Sequence, residues 1–294
     1  MVAEKAKNEV NKKYAHRTYF QMVTRRFFRN GVAVTGFIIV ASLILVAIFA
    51  PYIATHDPIA TNPDESLQPP SAKHWFGTDQ LGRDVYSRIV YGARVSLFVG
   101  FISTGISVTI GIIIGSIAGY YGGWIDDLIS RFIEVMMCFP TFFLILTIMA
   151  FFKPSIWTVL VVIGITSWTG VARLIRGQIL QVKEMEYVQA AKTLGMSDAR
   201  IIFRHILPNA ITPVLVSATL SIGGAILTET SLSFLGLGVQ PPNPSWGNIL
   251  SDGQQFIQTA WWLSTFPGIA IFLAVLGYNL MGEGLRDALD PKLK

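Results

Sequence analysis

Six long stretches of the chain are almost free of charge, and they leave few folds open. They run from Asn30 to Thr55, Val95 to Tyr121, Leu128 to Phe152, Pro154 to Ala172, Ala210 to about Leu235, and between Gly253 and Gly282. Each exceeds the roughly 18 residues that cross hydrocarbon as a helix. Lipid offers no partner to an unpaired backbone group, so helices are the expected form. Composition agrees: 14% of residues are charged, against about 25% in a soluble domain. The expected fold is an all-α membrane protein of six transmembrane helices.

Cation placement sets an orientation. Eight Lys/Arg precede the first span, from Lys5 to Arg29. Arg131 follows the second, six lie between the fourth and fifth (Arg173, Arg176, Lys183, Lys192, Arg200 and Arg204), and Arg286, Lys292 and Lys294 close the chain. The other side has Lys73, Arg83, Arg88, Arg94 and Lys153. Cytoplasmic loops carry the Lys/Arg excess, so both termini and the segment between spans four and five are expected in the cytoplasm. The pI of about 9.3 then reflects topology, and no nucleic-acid partner is implied. The boundaries read as a basic cytoplasmic tail at 1–30, a first transmembrane anchor at 31–52 and an external loop at 53–94. A core at 95–285 contains a cytoplasmic loop at 173–208, and a cytoplasmic tail follows at 286–294.

The N-terminal apolar run begins at Gly31, is longer than a signal h-region and has no A-x-A-like site after it, so it reads as a retained anchor. The lone Cys138 falls inside span three and is expected to be a buried packing thiol. Gly111, Gly115 and Gly119 recur every four residues in span two, a small-residue face suited to close helix packing in lipid. Pro140 is expected to kink or break span three. Two acids lie inside apolar spans, Glu134 and Glu229. Buried ionisable groups there are costly and functional by default, so both are candidates for a translocation path, although a structural Glu229 bonded within the bundle fits equally.

The external segments are short. Gly236 to Ala260 holds no Lys or Arg, and Pro and Gly residues fix turns in both loops. Neither is large enough for a core of its own, and both read as a docking surface. The dipeptide Gly-Lys does not occur, so no P-loop is available. His16, His56, His74 and His205 all lie outside the spans, so no metal or catalytic residue is expected in the membrane. Asp126 and Asp127 are adjacent at a loop edge and make no catalytic pair.

The segment EYVQAAKTLGMSDARIIFRHILPNA, Glu186 to Ala210, is polar between two apolar spans. Lys183 to Leu194 contains good helix formers. Gly195 can take a left-handed C-cap, and Ser197 can cap a second short helix from Asp198 to Ile206. Pro208 is expected to push Leu207 out of helical geometry and separate that helix from span five. Ala190 and Ala191 keep one face slim. Physics alone leaves two readings open, an amphipathic helix lying on lipid and a partner-docking helix.

Three blocks carry a resemblance: FGTDQLGRDVYSRIVYGARVSL at Phe76 to Leu97, EYVQAAKTLGMSDARIIFRHILPN at Glu186 to Asn209, and SFLGLGVQPPNPSWGNIL at Ser233 to Leu250. From about Tyr19 onward the chain resembles a permease subunit of the dipeptide/oligopeptide/nickel branch of ABC importers, the second of that branch's two permeases. The middle block matches the importer signature of Glu-Ala-Ala, three residues, Gly, nine residues, Ile, one residue, Leu-Pro. It departs at Gln189, where the signature has Glu, and at His205, where it has Ile. The resemblance implies a type I importer bundle in a prokaryotic cell membrane and ATPase coupling through Glu186, Tyr187, Gln189, Ala190, Ala191, Gly195, Arg204, Leu207 and Pro208. It implies as partners a homologous second permease, two cytoplasmic ATPases, an external substrate-binding protein and a peptide substrate. ATP and Mg would be used by the ATPases, with no cofactor bound by this chain. Nickel or glycosides are the alternative cargoes within the family, and an ion-coupled secondary carrier is the alternative outside it.

Overall fold

The computed structural model describes residues 19–289; the first 18 residues of the expected basic tail and 290–294 lie outside them. Among the described residues the elements are helical, and a single isolated bridge joins Thr78 to Asp84. Among the described residues five helices are long and apolar enough to cross a membrane, or six spans when one sharply bent pair is counted as a span.

Helix α1 (Tyr19–Arg29) replaces part of the expected tail with a short helix ending on Arg26 and Arg29. Asn30 starts α2 (Gly31–Ile48) by accepting from the amides of Val32 at 3.0 Å and Ala33 at 3.3 Å, which satisfies two of the free N–H groups at the helix start. Its Nδ2 donates to Asp287 at 3.1 Å, tying the beginning of α2 to the end of the last helix.

Asp84 caps α3 (Val85–Tyr121), accepting from the Ser87 amide at 2.8 Å. The expected external loop therefore ends at Asp84, and residues 85–94 belong to the helix. Thirty-seven residues rise ~55 Å at 1.5 Å each, well beyond a ~30 Å hydrocarbon layer. Arg94 donates through Nη2 to the Ile48 carbonyl at 2.8 Å, covering an orphan acceptor at the end of α2.

Pro140 breaks the third span as its sequence requires. Helices α4 (Gly123–Cys138) and α5 (Thr141–Met149) meet at 82°. Phe139 is extended at ψ 128°, the conformation that a following proline ring imposes. Cys138, at this break, is exposed rather than buried. The fourth span runs as α6 (Ile156–Thr166) and α7 (Thr169–Val182), ten residues past the expected end at Ala172.

The glycine stripe of α3 is absorbed within the chain. A β-carbon on Gly111 would come 2.7 Å from Val171 Cβ, and one on Gly119 would come 3.0 Å from the Arg176 carbonyl. Both neighbours lie on α7, so this close face carries no partner subunit. Helix α8 (Glu186–Thr193), a short turn α9 (Asp198–Ile201) and α10 (Thr212–Phe234) follow, then α11 (Trp246–Gly253) and α12 (Trp262–Leu289). The last helix runs to Leu289, so the expected C-terminal tail at 286 begins inside it. One apolar core joins α2, α3, α10, α11 and α12 through Val40, Leu97, Ile226, Trp246 and Ala274.

At the N-terminal end of α3 the two connecting segments, each too short for a core of its own, share one. Val85, Ala260, Trp262 and Leu263 are buried there against Leu67 and Phe76. Asp79 accepts from Arg83 Nε at 2.7 Å and also pairs with Arg88, and Arg83 and Arg88 reach Asp252 at 3.3 Å. Two cations against two carboxylates leave this buried network balanced.

Candidate functional site

The polar segment folds at the opposite end of α3. After α7 the chain turns at Glu184, and Met185 is extended at ψ 142°; the helix expected from Lys183 therefore starts at Glu186. Gln189 donates through Nε2 to the Lys183 carbonyl at 2.9 Å and closes this turn. A carboxylate could not donate there, so the departure from Glu in the signature has a local use.

Gly195 takes φ +72°, as expected for a left-handed cap. Its N–H donates to the Lys192 carbonyl at 2.9 Å, and that of Met196 reaches back to Ala191 at 3.2 Å, the paired bonds of a Schellman ending. Ser197 occupies the next N-cap position, with no side-chain bond to the helix.

Pro208 does not interrupt the second helix. Leu207 is helical at φ −58°, ψ −42°. The residues Ile202–Ile206 form a π turn, with the Leu207 amide bonded to Ile202, and a helical turn Leu207–Ala210 follows. Widening the turn relieves the clash between a proline ring and the preceding carbonyls, which sequence reasoning had resolved as a break.

Val188, Ala191, Ile201 and Ile206 are buried against Ile175 and Ile179 of α7 and Val214 of α10. Of the Ala pair, Ala191 packs inward and Ala190 faces out. Glu186, Tyr187, Gln189, Gly195, Arg204 and Pro208 are exposed and Leu207 is half-buried. The outer surface also presents Leu194 at 76% and Phe203 at 70% exposure. Sequence reasoning singles out Tyr187 but misses these two; the signal was a large apolar residue in an otherwise polar loop. Tyr120 at the end of α3 donates to Asp198 at 2.7 Å and lies beneath the Lys192 ammonium, 5.6 Å from the ring centre. Lys183 Nζ donates to the Gly119 carbonyl at 3.2 Å. The segment is thus fastened to α3 as well as to α7.

The two candidate path acids separate. Glu134 pairs with Arg131 at 3.0 Å on an exposed face of α4. Glu229 is fully buried within the chain. Its Oε1 accepts from Ser233 at 2.7 Å and Ser245 at 2.9 Å. Ser245 in turn caps α11 with Asn248, so Glu229 holds the start of that helix. The structural alternative is the one the geometry favours.

A different feature opens between α3, α6 and α10. A cavity of about 250 Å³ is lined by Ser103, Thr104, Ser107, Ser167, Ser221 and Thr228, with Ile163, Gly224 and Ala225. No charged residue lines it. The buried Ser103 and Thr104 hydroxyls have no hydrogen-bond partner among the described residues.

Residues 111–294 match the family described as binding-protein-dependent transport system inner membrane component. The chain belongs to that family. Residues 18–70 match the N-terminal TM domain of oligopeptide transport permease C. The dipeptide transport system permease protein DppC of Alkalihalophilus pseudofirmus is 51% identical over 90% of this chain and 88% of its own length. The oligopeptide transport system permease protein OppC of Bacillus subtilis is 43% identical over 92% of this chain and 88% of its own. The fold resembles that of a methionine ABC transporter, MetNI, solved in inward facing conformations: TM-score 0.55, 16% identity, 68% of this chain and 96% of that one. The chain is a multi-pass ABC-importer permease subunit.

Proposed function

We propose that this permease subunit carries dipeptides or oligopeptides into the cytoplasm as half of a heterodimeric path. A homologous permease forms the other half, two ATPases drive it, and an external binding protein delivers the cargo. The chain itself hydrolyses no ATP and binds no nucleotide; ATP and Mg belong to the ATPase subunits. The observation that carries the reading is the Lys183–Pro208 segment: a helix pair packed rigidly on α7, α10 and the end of α3, with Tyr187, Leu194 and Phe203 facing outward. Such exposed apolar side chains fit a protein contact, and the cation excess around them supports a cytoplasmic position for this end.

The mechanism follows from what touches what. A closing ATPase pair that grips Tyr187, Leu194 and Phe203 moves α8. Val188 and Ala191 pass the movement to Ile175 and Ile179 of α7, which has no slack against the glycine face of α3. Helices α3 and α10 flank the hydroxyl-lined cavity, so its width changes with them. Serine and threonine hydroxyls donate and accept alike and can follow the amides of any peptide without selecting side chains. At about 250 Å³ the cavity falls below the ~300–1,000 Å³ of a complete small-molecule site, as befits one wall of a path completed by the second permease. Relatives named for dipeptide and oligopeptide transport support the cargo class.

The test replaces Leu194 or Phe203 with Glu. Both side chains are exposed, so insertion should be normal, while co-purification of the ATPases and peptide uptake should be lost together. Undiminished ATPase capture in both variants would remove this segment as the docking site.

A further inference from the structure

At the end of α3 away from the coupling segment, two histidines and a buried aspartate converge. His74 and Asp84 are almost fully buried, while His56 keeps 35% of its side chain exposed. His74 Nδ1 lies 2.9 Å from Asp84 Oδ1, and His56 Nδ1 lies 3.8 Å from the same oxygen. One ligand atom from each of the three residues falls within 4.8 Å of the others. The geometry points to a divalent cation site of the zinc class, with His56, His74 and Asp84 as protein ligands and a water in the fourth position.

Magnitudes support this. Ligands at ~2.0–2.1 Å from a tetrahedral zinc stand about 3.3 Å apart, and the two nitrogen–oxygen separations straddle that value. Imidazole with carboxylate suits zinc, cobalt and nickel over calcium or magnesium, which prefer all-oxygen sites. The rings of His56 and His74 lie 4.7 Å apart, near enough for both to reach one ion.

The surrounding groups are those a ligated site needs. The other nitrogen of His74, Nε2, stands 3.3 Å from Glu65 Oε2. A carboxylate behind a histidine fixes the ring and its tautomer in metal sites. The second oxygen of Asp84, Oδ2, is fixed by the Ser87 amide at 2.8 Å. The ligands come from three places along one connection, the stretch just after the first span, the loop at His74 and the cap of α3, so the ion would pin these segments together. The site lies at the far end of α3 from the coupling surface, and its test does not require transport.

The experiment uses the assembled transporter purified in detergent, stripped with a chelator and titrated with zinc chloride. Bound metal is counted by mass spectrometry and affinity read by competition with a chromophoric chelator. Wild type should retain one zinc per copy of this chain. His56→Ala, at a half-exposed position that should not disturb folding, should lose it. Glu65→Gln should weaken binding by ~10- to 100-fold, and His205→Ala at the other end should change nothing. Absence of stoichiometric zinc from wild type would overturn the site and leave His74 as a bridge between Glu65 and Asp84. Equal zinc in wild type and His56→Ala would overturn it as well.

Discussion

Gly115 of α3 faces the backbone carbonyl of Ala172 on α7 with no room for a β-carbon between them. In a bilayer, where helices associate by packing rather than by hydrophobicity, this approach fixes how α3 and α7 can move together. Gly111 and Gly119 repeat the relationship one turn to either side.

Gly115→Val should therefore push the two helices apart, at a cost of about 1–3 kcal/mol for overpacking. Peptide uptake should fall far more than membrane abundance. Gly105→Val is the matched control, since nothing lies within 4 Å of that glycine's missing β-carbon. Quantifying both variants by uptake and by immunoblot of membranes checks the pair; equal losses would disconnect the α3–α7 contact from transport.

Gly195 poses a different constraint. Nothing crowds it, and its φ of +72° is the whole difficulty. Gly195→Val should cost ~1–2 kcal/mol through the left-handed backbone alone and uncouple ATP hydrolysis from uptake. Gly195→Asn, which tolerates that conformation, should keep most transport. Activity ratios of the two variants in vesicles decide; similar loss in both would point to the side chain itself as the problem.

Glu229 holds Ser233 and Ser245, so its removal should loosen the start of α11. Glu229→Leu leaves the two buried hydroxyl donors of Ser233 and Ser245 without their acceptor, at about 1–3 kcal/mol each, and Glu229→Gln should be milder. Free and N-terminally blocked peptides should lose uptake by the same factor. A selective loss for peptides with a free amine would instead place this carboxylate on the path.

The charge network around Asp79 predicts an order of stabilities. Arg88 is buried and Asp252 is 30% exposed. Arg88→Met leaves the buried Asp79 with Arg83 as its remaining cation and unbalances the network, a loss of about 3–5 kcal/mol, whereas Asp252→Asn neutralises a carboxylate that is itself partly in water and leaves both arginines paired with Asp79. Thermal unfolding of the purified complex should show a much larger drop for Arg88→Met; the reverse order would contradict the burial.

Much of this was legible in the sequence because lipid permits so little. Charge-free runs locate the spans, Pro140 breaks one of them, and Gly195 ends α8 as a left-handed cap must. What stayed hidden depends on contacts between distant residues. Whether Glu229 faces a path or a helix start is decided by Ser245, sixteen positions on and across a loop. The glycine stripe has a partner within its own chain, which spacing cannot reveal. Leu207 stays helical because a π turn absorbs Pro208, a local rearrangement that the proline rule alone does not anticipate. The hydroxyl-lined cavity draws on three helices, and no one of them carries a motif for it.

The most direct test of the account is uptake of labelled peptide by proteoliposomes holding this chain, its partner permease and both ATPases. Peptide should accumulate only when ATP and the binding protein are supplied, and imposed proton or sodium gradients should add nothing. Accumulation driven by an ion gradient without ATP would contradict the account and favour a secondary carrier.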